Sequence, residues 1–182
     1  DRRQRQMCIR DRPDLVQGKV KTCFGVTEPD AGLNTSQIKT KAEKNGNGYV
    51  VNGKKLWTTT AQEADKVMLL ARTTPREAVK KPTDGLTLFY TDLDRKYCDV
   101  REIPKMGRAA VDSNEVFFDG LPVPLEDRVG EEGEGFKYIL HSLNPERILI
   151  GAEAVGLGQN ALARAVEYLS LIHISEPTRP LS

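Results

Sequence analysis

Between Lys39 and Thr58 the chain places asparagine directly before glycine three times, at Asn45-Gly46, Asn47-Gly48 and Asn52-Gly53. Asn-Gly pairs supply the positive-φ positions of tight hairpins. This stretch therefore commits the chain to antiparallel strands. Lys39–Ala42 and Tyr49–Val51 are expected to flank the first turn, and Asn52-Gly53 to turn into a strand over Lys54–Thr58. The rest of residues 20–126 reads the same way. Lys19–Phe24 alternates, Lys66–Ala71 and Leu86–Thr91 are apolar runs between polar stretches, and Asn114–Asp119 is closed by Gly120-Leu121-Pro122-Val123-Pro124. Thr74–Asp84, with Pro75 and Pro82, is a polar loop. Short strands at this spacing suggest an antiparallel barrel or sandwich of about 100 residues.

The pattern changes after Asp127. Gly130–Gly135 reads as a flexible acidic loop. Phe136, Ile139, Leu140 and Leu143 then fall at helical spacing, which resumes through Ile148, Leu149, Ala152, Val155, Leu157, Leu162 and Val166. Pro145 inside that run removes one hydrogen bond and is expected to kink the helix. The fold class is α+β: an antiparallel β-barrel or sandwich domain over 13–127, then the first long helix of an α-helical domain over 128–168. That helix has no partners in this chain, so its apolar face is expected to be covered by material absent from it.

Both ends are expected to be foreign. Met7–Arg12 can be encoded by ATGTGTATAAGAGACAG plus one base, and the reverse complement of that string, with one more base, encodes Leu169–Ile174. The string resembles the mosaic end of a transposase-based sequencing adapter, so 1–12 and 169–182 are set aside as adapter-derived tails. The formal net charge of +1 then changes, because six of the 27 basic and three of the 26 acidic residues lie in those tails. The remaining core, 21 basic against 23 acidic, carries −2 and gives no electrostatic reason for a nucleic-acid partner. With 38% hydrophobic and 29% charged residues the composition is that of a globular protein, and no stretch approaches the ~20 apolar residues of a membrane span. Cys8, Cys23 and Cys98 have neither metal spacing nor an even-numbered framework, which points to a reducing compartment and to no metal site.

Four motifs then occur in order. Val26-Thr27-Glu28-Pro29-Asp30-Ala31-Gly32 follows a strand. Asn52-Gly53-Lys54-Lys55-Leu56-Trp57-Thr58-Thr59 follows the Gly-rich hairpin. Lys105-Met106-Gly107-Arg108 precedes the exit from the β region, and Gly133-Glu134-Gly135-Phe136 leads into the helix. Together they resemble the acyl-CoA dehydrogenase family, with its Thr-Glu-Pro-x-Ala-Gly and Asn-Gly-x-Lys-x-Trp-x-Thr signatures. The resemblance implies FAD. It places Phe24, Val26 and Thr27 beside the isoalloxazine ring, with Trp57 and Thr59 on the other side of the same pocket, where a Thr hydroxyl can donate to the flavin edge. Composition alone reads Trp57 as a core aromatic instead. Glu28 and Pro29 read as loop architecture. Where the family commonly follows Ala-Gly with Ser-Asp, this chain has Leu33-Asn34, and Leu33 at that substrate-side position offers only its backbone.

Desaturation of a thioester between Cα and Cβ needs a carboxylate base whose pKa is raised by an apolar pocket. The family places that glutamate either near its C-terminus or on the first long helix, immediately before an arginine. Asn144-Pro145-Glu146-Arg147 matches the second arrangement. The resemblance therefore implies Glu146 as catalytic base, with Arg147 and Asn144 contacting the CoA portion of the substrate. The plain alternative is a solvated Glu-Arg pair on a helix. His141 reads as a surface or interface residue.

The function implied is α,β-desaturation of an acyl-CoA, with electrons passed to an electron-transfer flavoprotein. The expected enzyme is a homo-oligomer in bacterial cytoplasm or mitochondrial matrix. An acyl-CoA oxidase or flavin monooxygenase on the same scaffold, and a non-catalytic β-domain interaction module, are the alternatives.

Overall fold

The computed structural model describes residues 13–174. The expected foreign tail 1–12, with Cys8, and residues 175–182 of the expected foreign tail 169–182 lie outside the described residues. One eight-stranded sheet dominates the first unit. Its strands are β1 (Thr22–Gly25), β2 (Lys41–Asn45), β3 (Gly48–Thr59), β4 (Lys66–Arg72), β5 (Leu86–Asp92), β6 (Cys98–Glu102), β7 (Ser113–Pro124) and β8 (Arg128–Val129). The order is β6-β7-β3-β2-β4-β5-β8, with β1 paired to β4. Cys98 of β6 at one end and Phe89 of β5 near the other belong to a single buried cluster with Cys23, Tyr49, Val51, Leu69, Val116 and Leu121. Strands so far apart in the sheet order share one core only because the sheet curls around it.

The pairing is antiparallel except at β4, which runs parallel to both β1 and β2. The β2–β3 hairpin pairs Asn45 with Gly48 across Gly46-Asn47, and Gly46 takes the positive φ, +57°, that a two-residue loop requires. Asn52-Gly53 is not a second turn. β3 runs on through it as one 12-residue strand, with a register shift against β7 between Val51 and Gly53. Gly53 sits at φ +154°, and a Cβ there would stand 2.5 Å from Thr40 Oγ1 and 2.7 Å from Thr40 Cα. Only glycine lets the two backbones meet so closely.

Three more elements differ from the sequence reading. β7 continues through Gly120–Pro124 rather than ending at Asp119, because Leu121 and Val123 keep facing the core. β6 and β8 carry too few apolar residues to register as strands in the sequence, and only Cys98 and Val129 of them are buried. Two loops are joined by Arg72, which is buried and whose guanidinium donates to five carbonyls: Ser36, Ile38, Thr74, Pro82 and Asp84. The acidic Gly130–Gly135 loop is tied down as well. Gly133 N–H donates to Thr87 Oγ1 at 2.8 Å, and Glu132 accepts from Tyr49 Oη at 2.9 Å.

The chain divides into two compact units at Ile139/Leu140, and the second holds the greater part of α1 (Gly135–Ile174). The helix is continuous across Pro145 and across Tyr168. The proline therefore costs one backbone bond, to the His141 carbonyl, without ending the helix. Ile148, Leu149, Val155, Leu157, Leu162, Val166 and Leu169 are all exposed. They spread over more than one side of α1, and a helix apolar on several sides is of the kind that packs inside a larger helical assembly. Among the described residues no helix is long and apolar enough to cross a membrane.

Candidate functional site

β1 delivers its last residues into a loop that the fold ties down at Val26, Thr27, Glu28 and Ala31. Glu28 and Ala31 close a tight turn with reciprocal backbone bonds of 3.3 and 3.1 Å. The Glu28 side chain points inward, 5% exposed. Its carboxylate accepts from Lys39 N–H at 2.7 Å, Thr40 N–H at 3.0 Å and Lys55 Nζ at 2.8 Å. Lys55, with no exposed surface, also donates to the Val26 carbonyl at 3.0 Å. One residue further along β3, Leu56 N–H donates to the Thr27 carbonyl at 2.8 Å.

Burial pushes the Lys55 ammonium down to about 8, although Glu28 pulls the other way. Burial also acts to raise the Glu28 carboxyl, but the Lys55 charge and the converging donors outweigh it and hold Glu28 below its ordinary value. Sequence patterning marks Glu28 only as loop architecture and gives Lys55 no role beyond its place in the Asn52–Thr59 motif. The signal available was positional: Val51, Lys55 and Thr58 occupy the inward places of β3 once bulges are allowed for.

Immediately after Leu56 the register of β3 against β7 shifts again, between Lys55 and Thr58. Trp57 sits in that bulge at φ +57°, and Thr60 follows at +60°. Left-handed backbone at bulky residues is rare and gathers at functional sites. Trp57 is 55% exposed and so is not a core aromatic. The segment is braced from the far side by Asp112, whose carbonyl accepts from Thr60 N–H at 3.4 Å and whose carboxylate accepts from Gln62 N–H at 3.2 Å. Met106, Gly107 and Arg108 belong to the exposed loop before Asp112, with Gly107 and Arg108 both at positive φ.

The donor set suits a planar heteroaromatic group with a polar edge. Phe24 lies on the outer side of β1, between inward-facing Cys23 and Gly25, and is exposed. Trp57 presents a second exposed aromatic. The Thr27 and Thr59 hydroxyls have no protein partner among the described residues, so both remain available as donors. Val26 and Thr27 are joined to the Trp57 bulge through Lys55 and Leu56. Leu33 is fully exposed, and hydrogen bonding in its loop is taken by the neighbouring Asn34, whose Oδ1 accepts from Ser36 N–H at 3.2 Å and from Ser36 Oγ at 2.6 Å. Burial pushes the Cys23 and Cys98 thiols up to about 12, so neither is a thiolate near neutral pH.

The helical candidates form a separate group in the second unit. Asn144, Glu146 and Arg147 lie on α1, all exposed, and Arg147 Nη1 donates to Asn144 Oδ1 at 3.2 Å. Spacing of three residues puts that pair on one side of the helix, with Glu146 turned about 100° from Arg147.

The family description "Acyl-CoA dehydrogenase, middle domain" matches residues 23–121, and "Acyl-CoA dehydrogenase, C-terminal domain" matches residues 133–171. The chain is 36% identical over 155 residues to cyclohex-1-ene-1-carbonyl-CoA dehydrogenase of Syntrophus aciditrophicus, covering 81% of this chain and 35% of that protein. It is similar to the solved acyl-CoA dehydrogenase of Geobacillus kaustophilus, with TM-score 0.75 and 34% identity over 80% of this chain and 38% of that one. It also resembles PigA, solved as an FAD complex, with TM-score 0.65 and 29% identity over 71% of this chain and 33% of that one. The chain thus spans about a third of the length of these relatives.

Proposed function

This chain belongs to the acyl-CoA dehydrogenase family, and from that premise we propose that the complete protein is an FAD-dependent dehydrogenase that desaturates an acyl-CoA between Cα and Cβ. The observation that carries the reading is the junction of Thr27 and Trp57. The loop after β1 is hydrogen-bonded to the strand residue preceding a strained, exposed tryptophan, and unspent threonine hydroxyls lie on both segments.

Phe24, Val26, Thr27, Trp57 and Thr59 would hold the flavin, the aromatics against its faces and the hydroxyls at its polar edge. When bound, FAD supplies the acceptor for the hydride that leaves Cβ. Glu146 takes the α-proton, which requires a carboxylate ionised before reaction and made more basic by an apolar, substrate-sealed pocket. Arg147, fixed by Asn144, offers a planar cation to the phosphate-bearing end of CoA. Leu33 leaves only backbone groups to meet the acyl-CoA arm. Electrons then pass to an electron-transfer flavoprotein, and the enzyme works as a homo-oligomer. Both partner assignments rest on the family resemblance.

The test is anaerobic mixing of the complete protein with acyl-CoA while visible flavin absorption is followed. The wild type bleaches, and Glu146→Gln binds the thioester without bleaching. Near-normal bleaching in Glu146→Gln removes that residue from the role. A complete protein that retains no flavin sinks the reading as a whole. Rapid reoxidation of the reduced protein by oxygen moves it to the oxidase or monooxygenase alternative.

A further inference from the structure

The Glu28–Lys55 pair has no part in the chemistry above, yet it is the most completely buried ionic contact in the β domain, with side-chain exposures of 4% and 0%. A buried pair is a poor way to gain stability. Desolvation consumes most of the attraction, and well-packed apolar residues do as well or better. The geometry offers another reason for it. Glu28 gathers donors from two segments: the backbone of Lys39 and Thr40 just before β2, and the side chain of Lys55 on β3. Lys55 reaches back to the Val26 carbonyl, one peptide before Thr27, while Leu56 holds the Thr27 carbonyl itself. The carbonyls of Val26 and Thr27 are thereby both referred to the strand that carries Trp57 two residues beyond Lys55. The close approach of Gly53 to Thr40 belongs to the same device, because it brings β3 against the segment whose N–H groups Glu28 collects.

Resting on the flavin reading, we infer that Glu28 and Lys55 are positioning residues that hold Thr27 and Trp57 at a fixed separation across the cofactor pocket. Lys55 has no exposed surface with which to touch a ligand, so it acts through the residues it tethers.

The decisive variant is the double substitution Glu28→Gln with Lys55→Met in the complete protein. It removes both charges together, so neither is left buried alone, and the amide oxygen of Glu28→Gln can still accept from the Thr40 N–H. Lys55→Met alone leaves a buried carboxylate unpaired and is expected to destabilise more than the double variant. Three quantities are read: the melting temperature of the apoprotein, the FAD dissociation constant, and the flavin absorption spectrum and midpoint potential at saturating FAD. The expected result is a melting temperature close to wild type, FAD affinity weakened about tenfold, and a shifted spectrum and potential. An unchanged dissociation constant, spectrum and potential overturns the inference and leaves the pair a structural contact. A double variant that does not fold overturns it too, by making the pair a folding determinant. If the wild type itself binds no FAD, the flavin reading fails, and that outcome is distinct from either of these.

Discussion

The Thr27 carbonyl accepts the Leu56 N–H at 2.8 Å, which fastens the loop after β1 to the residue directly before Trp57. A hydrogen bond at that point leaves the strand little freedom to absorb the bulge elsewhere, and the backbone of Trp57 takes it up at φ +57°.

Trp57→Gly should therefore separate stability from binding. Glycine relieves about 1 kcal/mol of left-handed strain, which offsets the partial burial lost with the indole. The unfolding free energy of the apoprotein is expected to change by no more than about 1 kcal/mol, while FAD affinity falls. Denaturant titration and flavin titration on the same sample check this. A loss of stability several times larger would show that Trp57 holds the β domain together.

At Gly53 the effect should run the other way. A Cβ there meets Thr40 at 2.5–2.7 Å on a backbone already at φ +154°. Gly53→Ala is expected to destabilise by about 2 kcal/mol or more, read from the denaturant midpoint. A silent substitution would mean that β3 and the Thr40 segment can part without cost.

Thr58 faces inward with its Oγ1 buried and without a protein partner among the described residues. An unsatisfied buried hydroxyl is a liability that its apolar isostere lacks. Thr58→Val should raise stability by about 1 kcal/mol, measured by thermal melting. A destabilised valine variant would reveal a bound water at that hydroxyl.

The buried pair should also leave a pH signature. Glu28 sits below its ordinary value, so its contribution is whole above about pH 4.3 and is lost as the pH falls below that. Lys55 sits near 8 when folded, so between about 8 and 10.4 the folded chain binds fewer protons than the unfolded one and stability rises with pH. The stability of the wild type relative to the Glu28→Gln/Lys55→Met variant should shrink on acidification and grow through the alkaline window. Denaturant midpoints across that range test it, and the opposite ordering refutes it.

Much of this was legible because local chemistry and tertiary structure agree. The Asn-Gly hairpin, the apolar runs that became β4 and β5, and the change to helical spacing after Asp127 each follow from residue patterning. The failures have a common cause. Asn52-Gly53 looks like a turn, but β7 supplies partners on both sides and converts it into a bulge. Gly120 and Pro122 look like an ending, but the inward Leu121 and Val123 carry β7 past them. β6 earns its place by pairing with β7 from Cys98 to Glu102 rather than by its own apolarity. At the candidate site, the motif residues could be named from resemblance alone. The backbone strain at Trp57 and the burial of Lys55 could not, since both depend on register shifts that no single strand encodes.

The parallel pairing of β1 with β4, Thr22 opposite Lys66, sets an order of assembly. β1 has no other ladder partner, and the β2–β3 hairpin lies between the two in sequence, so a growing chain must extend past β4 before its first strand can dock. The loop carrying Thr27 is thus translated before β4 but gains its strand anchor only once β4 is present. On the proposed flavin reading, the Thr27 side of the pocket is therefore complete only in a chain whose β4 is already in place.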